Sequence, residues 1–296
     1  MRIYEPENND IQRVTILAFS AGKGPKNPTL KRQPGSENHQ LETLYNKFIK
    51  IHEHEENFYQ ALFKFILESL IKQMKRYSED FRQLYRETYY GGSFYDGLKI
   101  GTTKHEFDVN IVFDIEQKDI EIKGLGKDRK KENFCFISLV GKTAPKNRCI
   151  VERQTSERTI SPLKMFQLMQ SALDRVLSKI NNKISYQGKF YRVTRQIFAP
   201  ITLKIIGLED DVEFEVDLVP SMKIGIETLR KHTKTYQHIK GLCDQGFQMP
   251  SSLMAISLHK VDKEKFQLDF HDLEREILFN RNCGKKVIFY KYLICV

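Results

Sequence analysis

Two segments in which apolar and acidic residues alternate limit most strongly what this chain can fold into. The first runs from Glu106 to Phe113 and the second from Val212 to Val219. Successive side chains of a β-strand point to opposite faces of the sheet, so each segment predicts a strand with one apolar and one polar face. The acidic residues that should share the polar faces are Glu106 and Asp108 on the first strand, and Glu213, Glu215 and Asp217 on the second.

The acidic faces of these two strands predict a metal site if the strands are neighbours in one sheet. Two residues apart on a strand, Glu106 and Asp108 lie about 7 Å apart along the chain. Crowded carboxylates repel one another unless a cation lies between them, and Mg²⁺ or Mn²⁺ prefers oxygen ligands. Two such ions can hold a triphosphate and activate an attacking hydroxyl. A solvated acidic face is the alternative, and the alternation alone leaves it open.

A Gly92-Ser93 dipeptide precedes the first acidic strand and is followed directly by FYDGLKI, where a short helix could begin. Glycine lets the main chain approach a phosphate, and the free N–H groups at a helix N-terminus can bind one. The order Gly-Ser, Glu-Phe-Asp and a distant Val-Asp-Leu is more specific than any of its parts, and it favours nucleotide binding.

Helical periodicity predicts a long helix from about Leu41 to Leu84, with a pattern that stops only at Gly91-Gly92. A second amphipathic helix should begin at Ser161-Pro162 and reach about Ile180. Another strand is predicted from Pro200 to Ile206, and the chain from about Gly225 is helical in character apart from an apolar run near residues 253–258. The apolar stripe of the long helix is formed by Leu62, Ile66, Leu70 and Met74. Its exposed side is basic and carries Lys64, Lys72, Lys75 and Arg76.

Charge and cysteine content limit the partners and the compartment. Lys and Arg number 48 against 38 Asp and Glu, a formal net charge of +10, which indicates an anionic partner or a merely basic protein. No segment approaches the roughly 20 apolar residues of a membrane helix, so no membrane association is expected. The five cysteines are odd in number and widely spaced, which argues against a disulfide framework and for a reducing compartment, cytoplasmic or nuclear.

The residues described so far resemble the nucleotidyltransferase superfamily and, within it, cyclic GMP–AMP synthase and the animal cGAS-like receptors. The matching stretches keep the family's order and approximate spacing; they are Gly92–Ile100, Glu106–Val109, Val216–Pro220, Phe266–Leu278 and Lys291–Leu293. The likeness is to the insect type, because the zinc-binding His/Cys insertion of the vertebrate enzyme is absent.

This resemblance implies an α+β, bilobal nucleotidyltransferase fold. Residues 1–40, which are rich in Asn, Pro, Gly and Lys, are predicted from their composition to be a basic flexible tail. The resemblance makes residues 41–224 a long spine helix with a mixed β-sheet lobe. Residues 225–296 would form a helical lobe that is incomplete at its C-terminal end. Family members join ATP and GTP, or two like nucleotides, into a cyclic dinucleotide by two phosphoryl transfers that use Mg²⁺ or Mn²⁺.

Carried over residue by residue, the resemblance also implies a role for each matching position. The metal ligands and catalytic residues would be Glu106, Asp108 and Asp217, and Asp217 would lie beside the attacking ribose hydroxyl as its base. Gly92 and Ser93 would hold the donor triphosphate. Together with these five, the predicted nucleotide-binding residues are Phe107, Gln267, Asp269, His271, Glu274 and Lys291.

One stretch departs from the family pattern. Phe266–His271 reads FQLDFH where the family usually has Trp-Arg-x-Ser-Phe-Ser, and the chain contains no Trp. Losing the Arg removes a fixed cationic donor. Asp269 could instead accept hydrogen bonds from guanine, so we expect an altered base preference or a lower activity.

The expected activator is double-stranded RNA rather than DNA, because insect cGAS-like receptors respond to RNA; dimerisation on the nucleic acid is left open. Three basic surfaces could bind it: the exposed side of the long helix, residues 123–153 and residues 230–234.

Two other functions stay open. One is a binding protein of the same fold with little or no turnover, and the other is a template-independent transferase that makes linear products.

Overall fold

A computed structural model describes residues 53–95, 105–114, 120–124, 134–139, 149–152, 157–196, 201–230, 233–244, 248–257, 265–273 and 275. All of them belong to one compact unit, Leu44–Val296. The predicted tail, the beginning of the predicted long helix, Glu274 and Lys291 lie outside the described residues.

The predicted long helix is divided into two helices. Helix α1 spans Glu53–Tyr77 and helix α2 spans Glu79–Leu84. Ser78 separates them in an extended conformation and accepts a hydrogen bond on its side chain from the Phe81 amide, at 3.3 Å. A serine in this position satisfies an N–H that the first turn of a helix leaves unpaired, and Glu79 and Asp80 favour the same helix start. The prediction of one continuous helix to Leu84 was therefore wrong at Ser78, whereas its apolar stripe is buried as predicted.

The segment after α2 is a strand and not the end of a helical pattern. Strand β1 spans Tyr85–Gly91 and pairs antiparallel with β2, His105–Phe113. Its sequence, YRETYYG, contains three tyrosines and a threonine, residues that favour strands. Helix α3, Gly92–Tyr95, follows as a single turn.

The other elements complete one sheet, which has twelve strands among the described residues. In chain order they are β3 (Ile120–Gly124), β4 (Phe134–Leu139), β5 (Ile150–Glu152), β6 (Arg158–Ile160), α4 (Pro162–Lys179), β7 (Lys183–Tyr186), β8 (Lys189–Arg195), β9 (Ile201–Gly207), β10 (Glu213–Gly225), α5 (Ile226–Arg230), α6 (Thr233–Cys243), β11 (Ser252–Ser257) and β12 (Phe266–Asp269). Helix α4 begins at its Ser161 cap as predicted.

Strand β10 is the centre of the sheet. It pairs in parallel with β2 along one edge, and antiparallel with β9 and then β11 along the other. Strands β11 and β12 extend the sheet further to β4, β6 and β5. The expectation that the chain is helical after Gly225 was wrong for β12, where apolar Phe266 and Leu268 alternate with polar Gln267 and Asp269.

Helices α1 and α4 contact each other and cover one face of the sheet, where the core lies. Phe63 of α1 stacks on Phe107 of β2 with ring centroids 4.2 Å apart, and both rings are fully buried. Phe214 of β10 meets Phe107 edge to face. The opposite face of β2 and β10 is therefore left for the acidic side chains. The predicted α+β fold class is confirmed, and no helix among the described residues is long and apolar enough to cross a membrane.

Candidate active site

The parallel pairing of β2 with β10 brings the predicted carboxylates together. Asp217 lies opposite Asp108, and Glu215 lies opposite Glu106. Paired residues of neighbouring strands share a face of the sheet, so all four point away from the stacked rings. One carboxylate oxygen from each of Glu106, Asp108 and Asp217 lies within 4.8 Å of the others. The condition on which the predicted metal site depended, that the two strands are neighbours, is met.

The remaining acidic residues on the polar face of β10 have other partners. Gln196 donates a hydrogen bond to Glu215 at 2.8 Å, and Lys204 forms an ion pair with Glu213 at 3.0 Å. Both partners lie on the β8–β9 side of the strand. Of the five acidic residues that alternation placed on this face, three are thus grouped as potential ligands of one centre.

Thr202 is a member of the site that the sequence analysis missed. It faces Asp217 across the β9–β10 pair, is 4% exposed, and donates a hydrogen bond from its hydroxyl to Oδ1 of Asp217. A donor fixed in this way restrains the carboxylate rotamer and leaves the second oxygen available to another ligand. A threonine within an apolar run, ITLKII, carries no signal of this role until the strand pairing is known.

The Gly91-Gly92 pair lies directly against the acidic cluster. Gly91 pairs with Asp108 across β1 and β2, and Gly92 has a φ of +80°, which side-chain-bearing residues adopt only rarely. A Cβ atom at position 92 would overlap the Asp108 carboxylate, with Cγ only 2.8 Å away. Glycine is required here both for the turn and for this close approach. The side chain of Ser93 lies outside the described residues.

The segment that follows β12 crosses toward β1 on the same face. The Tyr89 hydroxyl donates a hydrogen bond to Asp272, and the Tyr89 ring meets His271 edge to face, with centroids 5.9 Å apart. His271 also lies 3.5 Å from where a Cβ of Gly91 would be. His271, one of the predicted nucleotide-binding positions, is thereby brought beside Gly91.

Asp269 is held within this segment by the main chain. The His271 amide donates a hydrogen bond to its Oδ1 at 3.1 Å, and burial raises the pKa of the Asp269 carboxyl above its usual range. Gln267, two residues earlier on β12, is half-buried and pairs with Ile256 of β11. Phe107 differs from the other predicted nucleotide-binding residues: its side chain is buried against Phe63, so only its main-chain atoms remain for such a contact.

The donor set fits a hard divalent cation. All three grouped side chains offer carboxylate oxygens, their ligand atoms converge within 4.8 Å, and none is fully buried. Mg²⁺ and Mn²⁺ are commonly held in this way, by a few carboxylates together with substrate phosphates and water. Because Gly92 has no Cβ, its main chain lies close to the Asp108 carboxylate, one of the three potential ligands.

A helix-backed sheet with three carboxylates on neighbouring strands, and a glycine turn against one of them, is the arrangement expected of a nucleotidyltransferase domain. The Mab-21 protein nucleotidyltransferase domain matches residues 94–280, well over half of the chain, including all three carboxylates. The chain belongs to this family.

Two relatives confirm the predicted resemblance to cGAS-like receptors. A cyclic GMP-AMP synthase-like receptor of Tribolium castaneum is 36% identical over 75 residues, 25% of this chain and 19% of the relative. A receptor of the same name from Microplitis demolitor is 37% identical over 79 residues, 26% of this chain and 15% of the relative. The matches thus cover less than a fifth of either relative's length.

Proposed function

We propose that this chain is a nucleic-acid-activated nucleotidyltransferase of the cytoplasm that joins ATP and GTP, or two like nucleotides, into a cyclic dinucleotide for innate immune signalling. Membership of the Mab-21 family supports the transferase class, and the named relatives support the signalling role. The observation that carries the proposal is the convergence of Glu106, Asp108 and Asp217 beside Gly92.

The geometry suggests how the residues of the site would divide the work. Glu106, Asp108 and Asp217 would hold Mg²⁺ or Mn²⁺, which supplies charge neutralisation at the transferred phosphoryl group. Thr202 fixes one oxygen of Asp217, so the other oxygen can accept a proton from an attacking ribose hydroxyl. Gly92 brings main-chain groups to the same point, where the donor triphosphate would lie. Gln267, Asp269 and His271 would line the base and ribose pocket, with Ser93, Glu274 and Lys291 as further contacts.

Double-stranded RNA is the proposed activator, and the excess of basic residues supports a polyanionic partner. Contacts to phosphates give an affinity that is independent of sequence and falls steeply with salt. A duplex would be recognised by its shape, through the backbone and the 2′-hydroxyls.

A product assay tests the proposal. The purified chain is incubated with labelled ATP and GTP, Mg²⁺ or Mn²⁺, and double-stranded RNA, double-stranded DNA or neither, and phosphatase-resistant products are then resolved. A resistant cyclic species formed only with RNA is the expected result. Linear products would instead favour a template-independent transferase, and no product under any condition would favour a binding protein of the same fold.

RNA binding is tested separately by measuring affinity at increasing salt. We expect the logarithm of the association constant to fall linearly with the logarithm of salt concentration. A flat response would show that the basic residues do not form the binding surface.

A further inference from the structure

An open groove, lined largely by charged residues and tyrosines, lies on the helix-covered side of β1, away from the carboxylates. Its volume is about 790 Å³, and its walls are α1 on one side and α2 with β1 on the other. Side chains of β1 alternate, so Thr88 and Tyr90 face this groove, whereas Tyr89 faces the candidate active site. The volume falls within the range of roughly 300–1,000 Å³ that is typical of small-ligand sites.

One end of the groove is strongly cationic. Lys72 and Arg76 of α1 are exposed and lie within ion-pair distance of no carboxylate in the described part of the chain. Lys75, also on α1, lies over the Tyr85 ring, 3.7 Å from its centroid, and partial burial lowers the pKa of its ammonium group. Arg82 and Arg86 add two further cations from the opposite wall. Their partners Glu79 and Asp114 are surface carboxylates, and such exposed pairs are weak and exchange readily.

The other end of the groove has a different character. Glu68 lies there beside Tyr90, Thr88 lines the adjoining wall, and the Lys64 ammonium lies 6.0 Å from the centroid of the Tyr90 ring. Glu87 also borders the groove, but its side chain points to the face of Tyr89, where it forms an ion pair with Lys223 at 2.6 Å. The carboxylate that faces the groove at this end is therefore that of Glu68. A carboxylate, a hydroxyl and a phenol in this arrangement can accept hydrogen bonds from ribose hydroxyls or from the amino groups of a base.

We propose that this groove is a second nucleotide site, in which a nucleoside triphosphate places its phosphates between Lys72, Arg76 and Arg82 and its nucleoside beside Glu68 and Tyr90. The cationic end of the groove would bind the negatively charged phosphates. The end that contains Glu68 would accept hydrogen bonds from the uncharged nucleoside. A duplex presents a convex surface, which would contact the rim of the groove but not fill it.

The test measures binding and does not depend on whether the carboxylates support turnover. Anisotropy of a methylanthraniloyl-labelled ATP is followed with the full chain in EDTA, so that no divalent ion is present at Glu106, Asp108 and Asp217. Unlabelled ATP, inorganic triphosphate, adenosine and duplex RNA serve as competitors. The variant carries Lys72→Glu with Arg76→Glu, and the matched control carries Lys179→Glu with Lys183→Glu, two exposed lysines outside the groove.

We expect saturable binding that weakens roughly tenfold or more in the groove variant, because two charge-assisted contacts are lost. The control variant should bind as the wild type does. Inorganic triphosphate should compete and adenosine should not. Two results would overturn the assignment: no saturable binding in EDTA, or nucleotide binding that is unchanged in the groove variant, whether or not that variant loses RNA binding.

Discussion

The two faces of strand β2 are built from alternate residues of one short segment, yet they have opposite properties. Phe107 and Val109 are buried under α1, with the Phe107 ring stacked on Phe63. Glu106 and Asp108 lie on the other face, where they meet Asp217. The comparison teaches that the carboxylates are positioned by the core: the apolar residues fix the register, and the register fixes which acids converge.

The largest expected effect follows from a substitution on the acidic face. Asp108→Asn should leave no detectable product, because it removes one ligand charge and leaves the volume unchanged. Stability without metal should change by less than about 1 kcal/mol, since the substitution also relieves repulsion among the carboxylates. Product formation and thermal unfolding check this, and adding Mn²⁺ should raise the Tm of the wild type but not of the variant. The control is Asp174→Asn, which removes an equal charge on α4 and should behave as the wild type. If Asp108→Asn were as active as the wild type, the metal assignment would be refuted.

On the core face, Phe107→Ala should act mainly on folding. Deleting a fully buried ring that stacks on another should cost about 3–5 kcal/mol in the free energy of unfolding. Chemical denaturation gives this value, and Phe190→Ala on β8 is the control, because that ring is 47% exposed and should cost far less. A similar loss in both variants would mean that burial does not distinguish the two positions.

Gly92→Ala tests the contact between the glycine turn and the acidic face. Position 188 is the natural control, because Gly188 has a φ of +81° and nothing lies within 4 Å of its missing Cβ. Both alanines should cost about 1–2 kcal/mol for the left-handed backbone. Only Gly92→Ala should also displace Asp108 and weaken Mn²⁺ binding, which can be followed by the electron paramagnetic resonance of the free ion. If both alanines leave Mn²⁺ binding equal, the overlap with Asp108 has no functional consequence.

The smallest effect is expected for Thr202→Val, which keeps the shape of the side chain and removes the donor to Asp217. Loss of an outer hydrogen bond to a ligand typically costs about tenfold in metal affinity, so we expect Mn²⁺ binding to weaken by that order. Thr194→Val on β8, whose hydroxyl donates only to the Lys204 carbonyl, should leave it unchanged. Equal Mn²⁺ titrations for the two variants would remove Thr202 from the site.

The predictable part of this molecule is the part in which periodicity is strict. Alternation gave the correct faces of β2 and β10, and the Ser161-Pro162 start gave helix α4. Strand β1 was missed because YRETYYG follows a helical stripe without a clear change of period. The hairpin of β7 and β8 was missed although Gln187-Gly188 lies between two strand-like runs, both residues with positive φ, which is a recognisable turn signal.

Within the site, the carboxylates and the glycine pair carry local signals, whereas their partners do not. Thr202, Gln196 and Tyr89 become part of the site only through strand pairing or through the crossing of the segment after β12. Alternation alone does not choose Asp217 over Glu215 as the partner of Asp108. The family resemblance made that choice, and the register of β2 with β10 places Asp217 opposite Asp108.

The parallel pairing of β2 with β10 has a consequence for how the protein comes into being. Its members are separated along the chain by β3 to β9 and by α4, so the pairing closes a long loop and cannot form until β10 has left the ribosome. The nascent first half of the chain therefore carries two of the three carboxylates but no centre. A metal ion can therefore bind to all three carboxylates only after β2 and β10 have paired in the middle of the sheet. Measuring ion affinity would thus show whether this part of the fold has formed.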